Sequence, residues 1–230
     1  MECMRDATAG ATNLVAGPGR RRRRARRLAA VLGVAVASVL LAGCQVELST
    51  GHADVAMKYA SGALKIGVQD DTGSSPAWRE ASATRLVVKA QARTTVPSGS
   101  RWAFLGPPGS DVWILPQAQT PNLLWLGWNT QEIPAGVFQN ERVEWRMLSV
   151  SGPGAVHLYT TNSFGTPTVR FDSDDGLPDT QPVNRGTHAH GNWAFTKAGT
   201  YSVVLEVRGT LTGGATSAAR ATFTFDVRST

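Results

Sequence analysis

The strongest constraint on the fold is a two-residue alternation of apolar and polar side chains near the C-terminus. Each of two segments places its apolar residues on one face of a β-strand. The two faces are formed by Tyr201, Val203, Leu205 and Val207, and by Ala221, Phe223, Phe225 and Val227. Residues 209–217, rich in Gly, Thr and Ser, separate them. The pattern therefore predicts an antiparallel hairpin.

Seven further segments have the length and composition of strands and are separated by Gly- and Pro-rich loops. They are residues 54–59, 63–68, 84–89, 142–150, 155–160, 168–171 and 192–195. No window combines a helical period with capping residues, and no internal repeat of useful length is present. Nine short strands predict an all-β protein, a single antiparallel β-sandwich of the immunoglobulin-like kind.

The N-terminal residues have the order of an export signal. An Arg-rich run at 20–27 precedes an uncharged stretch at 28–42, and Leu-Ala-Gly-Cys stands at 41–44. The apolar stretch is shorter than the roughly 20 residues of a transmembrane helix. Leu-Ala-Gly-Cys resembles a bacterial lipobox, which implies cleavage before Cys44 and a diacylglyceryl group on its thiol. The alternative is an ordinary secretory cleavage beside a chance cysteine.

This signal divides the chain into three parts. Residues 1–43 are predicted to be a lipoprotein signal peptide, residues 44–50 a lipidated tether and residues 51–230 the β-sandwich domain. The expected location is the outer face of the cytoplasmic membrane, reached through lipid on Cys44. The paired arginines leave both general secretion and twin-arginine export open.

Charge and cysteine content narrow the function further. The net charge of +6 lies entirely within residues 1–43, and the remainder has fifteen basic and fifteen acidic side chains. A basic face for nucleic acid is therefore not expected. Only Cys3 and Cys44 are present, so the mature domain has no disulfide and no thiolate metal site.

Motifs of the common enzyme classes are missing from the sequence. It contains no Gly-x-Ser-x-Gly, no phosphate-binding glycine loop and no His-Glu-x-x-His. No pair of its carboxylates can be assigned as acid and base, which leaves a glycosidase unsupported. We therefore predict a binding protein and not an enzyme.

Two short histidine patterns indicate a metal site. His188 and His190 lie two residues apart, so on a strand both imidazoles face one side. His52 and Asp54 have the same spacing. If the two strand ends meet, they supply four nitrogen and oxygen ligands, which suit Zn²⁺ and, with open positions, also Mn²⁺ or Fe²⁺. The alternative is a solvated His52 and a pair of histidines flanking a turn, with His157 more typical of a core histidine.

Two other features allow different partners. Residues 172–176, Asp-Ser-Asp-Asp-Gly, begin like a calcium loop, but Gly176 stands where a ligand belongs and no terminal Glu follows, so we expect a solvated acidic turn. Trp125 and Trp128 lie three residues apart and would face opposite sides of a strand. An exposed tryptophan could stack on a sugar or on a partner protein, so the alternative function is an envelope module that binds cell-wall glycan or a protein.

Six runs of residues carry a resemblance to a known family. They are Gly-His-Ala-Asp at 51–54, Trp-Ala-Phe-Leu-Gly at 102–106, Val-Trp-Ile-Leu-Pro-Gln at 112–117, Leu-Trp-Leu-Gly-Trp-Asn-Thr at 124–130, Ser-Gly-Pro-Gly at 151–154, and His-Ala-His-Gly-Asn-Trp-Ala-Phe-Thr-Lys-Ala-Gly-Thr-Tyr at 188–201. In this order they resemble the actinobacterial surface-anchored domain of "choice-of-anchor M" proteins. The resemblance covers residues 51–207, and this chain differs from the family in having a lipobox.

The resemblance implies a non-enzymatic, envelope-attached module. Such domains are encoded beside ABC transporters whose substrate-binding proteins resemble those for zinc or manganese. It therefore implies a divalent metal, Zn or Mn, as ligand and a metal ABC transporter as partner. The motif positions that could ligate the metal are His52, Asp54, His188 and His190.

Overall fold

The computed structural model of the protein describes residues 45–230. This part of the chain contains sixteen strands: β1 (Val46–Leu48), β2 (Gly51–Ala60), β3 (Ala63–Asp70), β4 (Ala77–Arg79), β5 (Thr84–Val88), β6 (Arg93–Thr95), β7 (Asp111–Leu115), β8 (Leu124–Asn129), β9 (Arg142–Ser151), β10 (Val156–Thr161), β11 (Pro167–Asp172), β12 (Asp179–Asn184), β13 (His188–His190), β14 (Asn192–Phe195), β15 (Gly199–Thr210) and β16 (Thr216–Val227). Its only helical elements are four short 3₁₀ segments, at Ala81–Ala83, Ala90–Ala92, Ser100–Leu105 and Gln139–Glu141. Within these residues no helix is long and apolar enough to cross a membrane. The all-β prediction is confirmed.

The strands form three sheets. Their strand orders are β1-β5-β16-β15-β9-β12, β11-β10-β14-β7-β6 and β13-β8-β2-β3-β4. Three pairs are parallel, namely β1 with β5, β5 with β16, and β2 with β8. Two of the three sheets are mixed, and the sheet β11-β10-β14-β7-β6 is antiparallel throughout. The prediction of a purely antiparallel sandwich therefore does not hold, and this topology does not confirm an immunoglobulin-like one. Side-chain alternation indicates which face of a strand is buried, but not the direction of its neighbour.

The C-terminal hairpin is confirmed. Strands β15 and β16 pair antiparallel, with Tyr201 opposite Phe225 and Val203 opposite Phe223, and all four side chains are buried. The paired strands extend to Thr210 and Thr216, so only residues 211–215 remain of the predicted loop. Because alternating apolar residues on both strands face the same core, the long pairing places a whole row of side chains out of water.

The larger of two apolar clusters lies between the sheets. Its largest buried side chains are aromatic and include Trp145, Trp193, Phe171, Phe195 and Phe225. The ring of Trp145 packs at right angles on that of Phe171, with 4.8 Å between centroids. Residues from all three sheets meet in this core, which gives the strands beneath the candidate site a fixed position.

The folded part of the chain begins before Gly51. Strand β1 pairs with β5, and the side chain of Leu48 is only 3% exposed. This stretch of the tether predicted at residues 44–50 is thus packed on the domain. A three-residue strand is too short to show a period in sequence. Cys44 and the predicted signal peptide at 1–43 lie outside the described residues.

Candidate metal centre

The site lies on three neighbouring strands of one sheet. Strand β8 is flanked by β2 on one side and by β13 on the other. Gly127 of β8 is in register with Asp54 of β2 and with His190 of β13. Because side chains alternate along strands, residues two positions away lie on the same face as these three. His52 and His188 therefore belong to the same surface.

The register brings all four predicted ligands together. On either side of Gly127 along β8, Trp125 is paired with His52 of β2 and Asn129 is paired with His188 of β13. One donor atom from each of His52, Asp54, His188 and His190 lies within 4.8 Å of the others. Sequence separation between the two histidine patterns exceeds 130 residues, so the fold alone creates this proximity.

Two of the separations between donor atoms match those around a tetrahedral ion, and a third is slightly shorter. The Nε2 atoms of His188 and His52 are 3.3 Å apart, and Nε2 of His188 lies 3.1 Å from Oδ2 of Asp54. Nε2 of His52 lies 3.6 Å from Oδ1 of Asp54. Metal bonds of about 2.0–2.2 Å place tetrahedral ligands about 3.3–3.6 Å apart. A shared ion requires the wider separations to close by side-chain rotation.

Buried polar atoms at the centre lack hydrogen-bond partners. The Asp54 side chain is 1% exposed, and its Oδ1 has no partner in residues 45–230. Within the same residues, neither ring nitrogen of His190 has one. A buried polar atom left unpaired costs about 1–3 kcal/mol. A cation bound here would satisfy Oδ1 of Asp54 and one ring nitrogen of His190, so the cluster could hold a metal ion.

Polar contacts from two other side chains, Asp71 and Asn129, orient the ligands His52 and Asp54. Nδ1 of His52 lies 3.0 Å from Oδ2 of Asp71, whose other oxygen accepts a hydrogen bond from Gln69 at 3.1 Å. Asn129 donates to Oδ2 of Asp54 at 2.9 Å. A carboxylate that holds Nδ1 of a histidine leaves Nε2 to face the metal, as in carboxylate–histidine–zinc triads. Asp71 and Asn129 thus act as positioning residues.

Burial sets the protonation of two ligands. Burial, together with the nearby imidazoles of His52 and His188, lowers the pKa of His190 to about 4. Burial raises the pKa of Asp54, opposed by the hydrogen bond from Asn129 and by attraction to His188 and His52. His190 is therefore neutral at pH 7, the form in which an imidazole binds metal.

Two residues of β8 shape the floor of the centre. The indole of Trp125 stacks on the ring of His190, with 3.7 Å between centroids and 9° between planes, and its Nε1 donates to the Gln117 carbonyl at 2.8 Å. At Gly127 an added Cβ would collide with the Asp54 carboxylate and would come within 2.8 Å of Cε1 of His190. Only glycine leaves room for both ligands at this position.

Of the remaining candidates, Trp125 borders the centre, whereas Trp128 and His157 lie apart from it. Trp128 is 7% exposed and packs near Trp145, and Trp125 is half-buried with His190 stacked on its ring. These positions confirm that the two tryptophans face opposite sides of their strand. His157 is fully buried, with Nδ1 3.0 Å from Oδ1 of Asp172.

The structure also bears on the acidic turn at 172–176. Asp174 and Asp175 are exposed, as expected for a solvated turn. Over residues 45–230, the four-residue centre is the only group of three or more potential metal ligands. Sequence reasoning did not identify Asp71, Gly127 or Asn129, because only the strand register shows them beside the ligands.

Comparison with known proteins gives no further guidance. No family model, curated protein or solved structure matches the chain. The chemistry of the centre therefore rests on its donor set, three imidazoles and one carboxylate, and on their spacing. Such a set can coordinate a borderline divalent cation without any thiolate.

Proposed function

We propose that this protein is a membrane-anchored extracytoplasmic binding protein for a divalent metal. The metal is zinc in the first instance, held by His52, Asp54, His188 and His190. The observation that carries the proposal is that four potential ligand atoms lie within 4.8 Å of one another. Asp54 and His190, two of the four residues, have buried polar atoms without a hydrogen-bond partner in the described chain. Neither pattern alone would supply enough ligands.

The ligand set favours zinc and favours binding over catalysis. Imidazole suits zinc, whereas manganese prefers more oxygen ligands and a higher coordination number. Catalytic zinc sites usually have three protein ligands and an open fourth position, while four protein ligands close a tetrahedral site. A closed centre of this kind fits a non-enzymatic protein.

The exposure of the ligands supports reversible capture. The His188 side chain is 36% exposed and that of His52 is 19% exposed, while Asp54 is buried. An ion can therefore reach the centre from the solvent side of the sheet. This fits delivery to a metal ABC transporter through its substrate-binding protein, the partner that the resemblance to choice-of-anchor M proteins suggests.

Calorimetric titration tests metal binding. We expect wild-type protein to bind one Zn²⁺ per chain. His188→Ala and His190→Ala should each lower the affinity by more than the roughly 10–100-fold lost with an outer-shell residue. Asp111→Asn is the control, because Asp111 is exposed and pairs with Arg93 instead. Equal heats from wild-type protein and both histidine variants would refute the proposal.

The pH dependence of the same titration follows from proton competition. An ordinary imidazole takes up a proton near pH 6.5, and a protonated imidazole does not bind metal. Zinc affinity should therefore fall as the pH drops through about 6.5. The lowered pKa of His190 keeps that ring neutral down to about pH 4, so it does not limit binding in this range.

Membrane attachment through Cys44 is tested separately. Cys44→Ser should move the protein from the membrane fraction to the medium, because the thiol would carry the lipid. His188→Ala is the matched control and should remain with the membrane. A Cys44→Ser protein that stays membrane-bound would contradict the lipid anchor and leave zinc binding unaffected.

A further inference from the structure

A cavity lies where the edges of the three sheets meet. Strands β11, β12 and β13 are each the last strand of their sheet, and residues from all three line a cavity of about 230 Å³. Trp128 and Trp145 provide aromatic walls, and Arg170 provides a charged group. Ala189 separates this cavity from the metal centre, because it lies between His188 and His190 and its side chain faces the opposite side of β13.

Two donors among the lining residues have no acceptor in the described part of the chain. Trp145 is 1% exposed, and its buried Nε1 has no hydrogen-bond partner in residues 45–230. Nε of Arg170 is also buried and without a partner in those residues. In the same part of the chain, no carboxylate lies within 4.0 Å of the Arg170 guanidinium, although most other arginines in strands form such pairs. Unpaired buried donors are rare in folded proteins and call for an acceptor.

The chemistry of the cavity selects one class of acceptor. An indole N–H and a guanidinium can only donate, and the guanidinium is always charged. Among the described residues that line the cavity, none is acidic. Gln181 donates from Nε2 to the Arg170 carbonyl at 2.7 Å, which holds β12 against β11. A carboxylate accepts from both donors and neutralises the charge.

The volume of the cavity and its aromatic lining indicate what the rest of the ligand is like. Pockets for drug-sized molecules have volumes of about 300–1,000 Å³, so this cavity suits a smaller molecule. Aromatic walls favour an apolar body over a fully hydrated inorganic anion. Pro182 and Asn184 are exposed and line the cavity, which gives a small molecule a route from solvent.

We propose that this cavity binds a small organic carboxylate. Its carboxylate accepts hydrogen bonds from Nε1 of Trp145 and Nε of Arg170, and its apolar part packs on Trp128. This site is distinct from the metal centre and does not depend on metal binding, since its donors are on β9 and β11 and none of them is a proposed metal ligand.

Nuclear magnetic resonance of ¹⁵N-tryptophan-labelled, metal-free protein tests the proposal. The indole signal of Trp145 is assigned through contacts to the ring of Phe171, 4.8 Å away. The probes are sodium benzoate and sodium butanoate, with benzamide and butanamide as neutral controls. We expect a saturable shift of the Trp145 indole N–H signal with at least one of the two carboxylates. The matching amide should bind at least about 10-fold more weakly.

Variants separate this site from general anion binding. Arg170→Gln should weaken carboxylate binding about 10-fold or more. Arg208→Gln should leave it unchanged, because Arg208 is exposed and pairs with Glu144. If Arg170→Gln fails to fold, Arg170→Lys retains the charge but loses Nε and should also weaken binding. An indole signal that does not respond to either carboxylate, responds equally to acid and amide, or responds equally without Arg170 overturns the proposal.

Discussion

A residue with no side chain limits the metal centre as strictly as the ligands do. An added Cβ at Gly127 would meet the Asp54 carboxylate, the Ala189 carbonyl and the ring of His190. Overpacking of this kind costs about 1–3 kcal/mol. Relief of the clash would move Asp54 or His190 away from the shared position.

We therefore expect Gly127→Ala to lower zinc affinity by at least about 10-fold, as measured by calorimetry. Gly213→Ala serves as the control, since Gly213 has an ordinary φ and no atom within 4 Å of an added Cβ. Thermal unfolding of both metal-free variants shows whether they fold. A folded Gly127→Ala protein with wild-type affinity would mean that the ion, if bound, lies elsewhere.

The ligands and their supporting residues differed in how far sequence could predict them. His52, Asp54, His188 and His190 were identifiable because a spacing of two places each pair on one strand face. Asp71 could not be linked to His52, nor Asn129 to Asp54, from spacing. Each of these contacts joins residues that only the chain reversal or the strand pairing brings within 3.0 Å.

At the level of elements, the carboxylate of Glu206 links three strands of the six-stranded sheet through ion pairs. Glu206 on β15 pairs with Arg146 on β9 at 2.6 Å and with Arg220 on β16 at 3.0 Å. Its side chain is 10% exposed. Burial alone would raise the pKa of Glu206, but hydrogen bonds from Arg220 and Arg146 outweigh it and lower the pKa.

We expect Glu206→Gln to lower the free energy of unfolding by about 1.5–3 kcal/mol at pH 7, since hydrogen bonds to charged groups contribute about that much. A lowered folded-state pKa stabilises the fold above the unfolded pKa, and this contribution is lost as pH falls through the folded value. The difference between wild-type and variant should therefore shrink below about pH 4.3, the ordinary value for glutamate. Urea unfolding at several pH values measures it, and a difference that persists at pH 2 would contradict this origin.

A strand's place in its sheet did not by itself decide whether the sequence predicted it, because residues 168–171 form part of the edge strand β11, whereas the inner strands β7 and β8 were not predicted. Residues 54–59 and 192–195 were predicted as strands, and the structure has them in β2 and β14. Strand β12 is not among the predicted strands, since it contains Pro182 and several polar residues. Proline is tolerated at the edge of a sheet, where its missing N–H would face away from any partner. Pairing with β9 decides its conformation instead.

For the whole molecule, the proposed ion would cross-link distant parts of the chain. His52 on β2 and His188 on β13 are 136 residues apart. Metal that binds only the folded state stabilises it by about 2.7 kcal/mol at a free concentration 100 times the dissociation constant.

We expect zinc at that concentration to raise the melting temperature by about 5–10 °C, and a chelator to reverse the rise. His190→Ala should show little increase. Differential scanning calorimetry with and without Zn²⁺ makes the comparison, and magnesium is the control ion because it prefers six oxygen ligands. An equal increase in wild-type and His190→Ala protein would place the effect outside this centre.

The sequence by itself determined the all-β class, the C-terminal hairpin and the four side chains that offer metal ligands. Each of these depends on a period of two along a single strand, which is local information. The tertiary structure decided the division into three sheets, two of them mixed, the meeting of β2 with β13 across β8, and the need for glycine at 127. Those features depend on which strands pair and in what register, and pairing is set by the shared burial of apolar faces far apart in the chain.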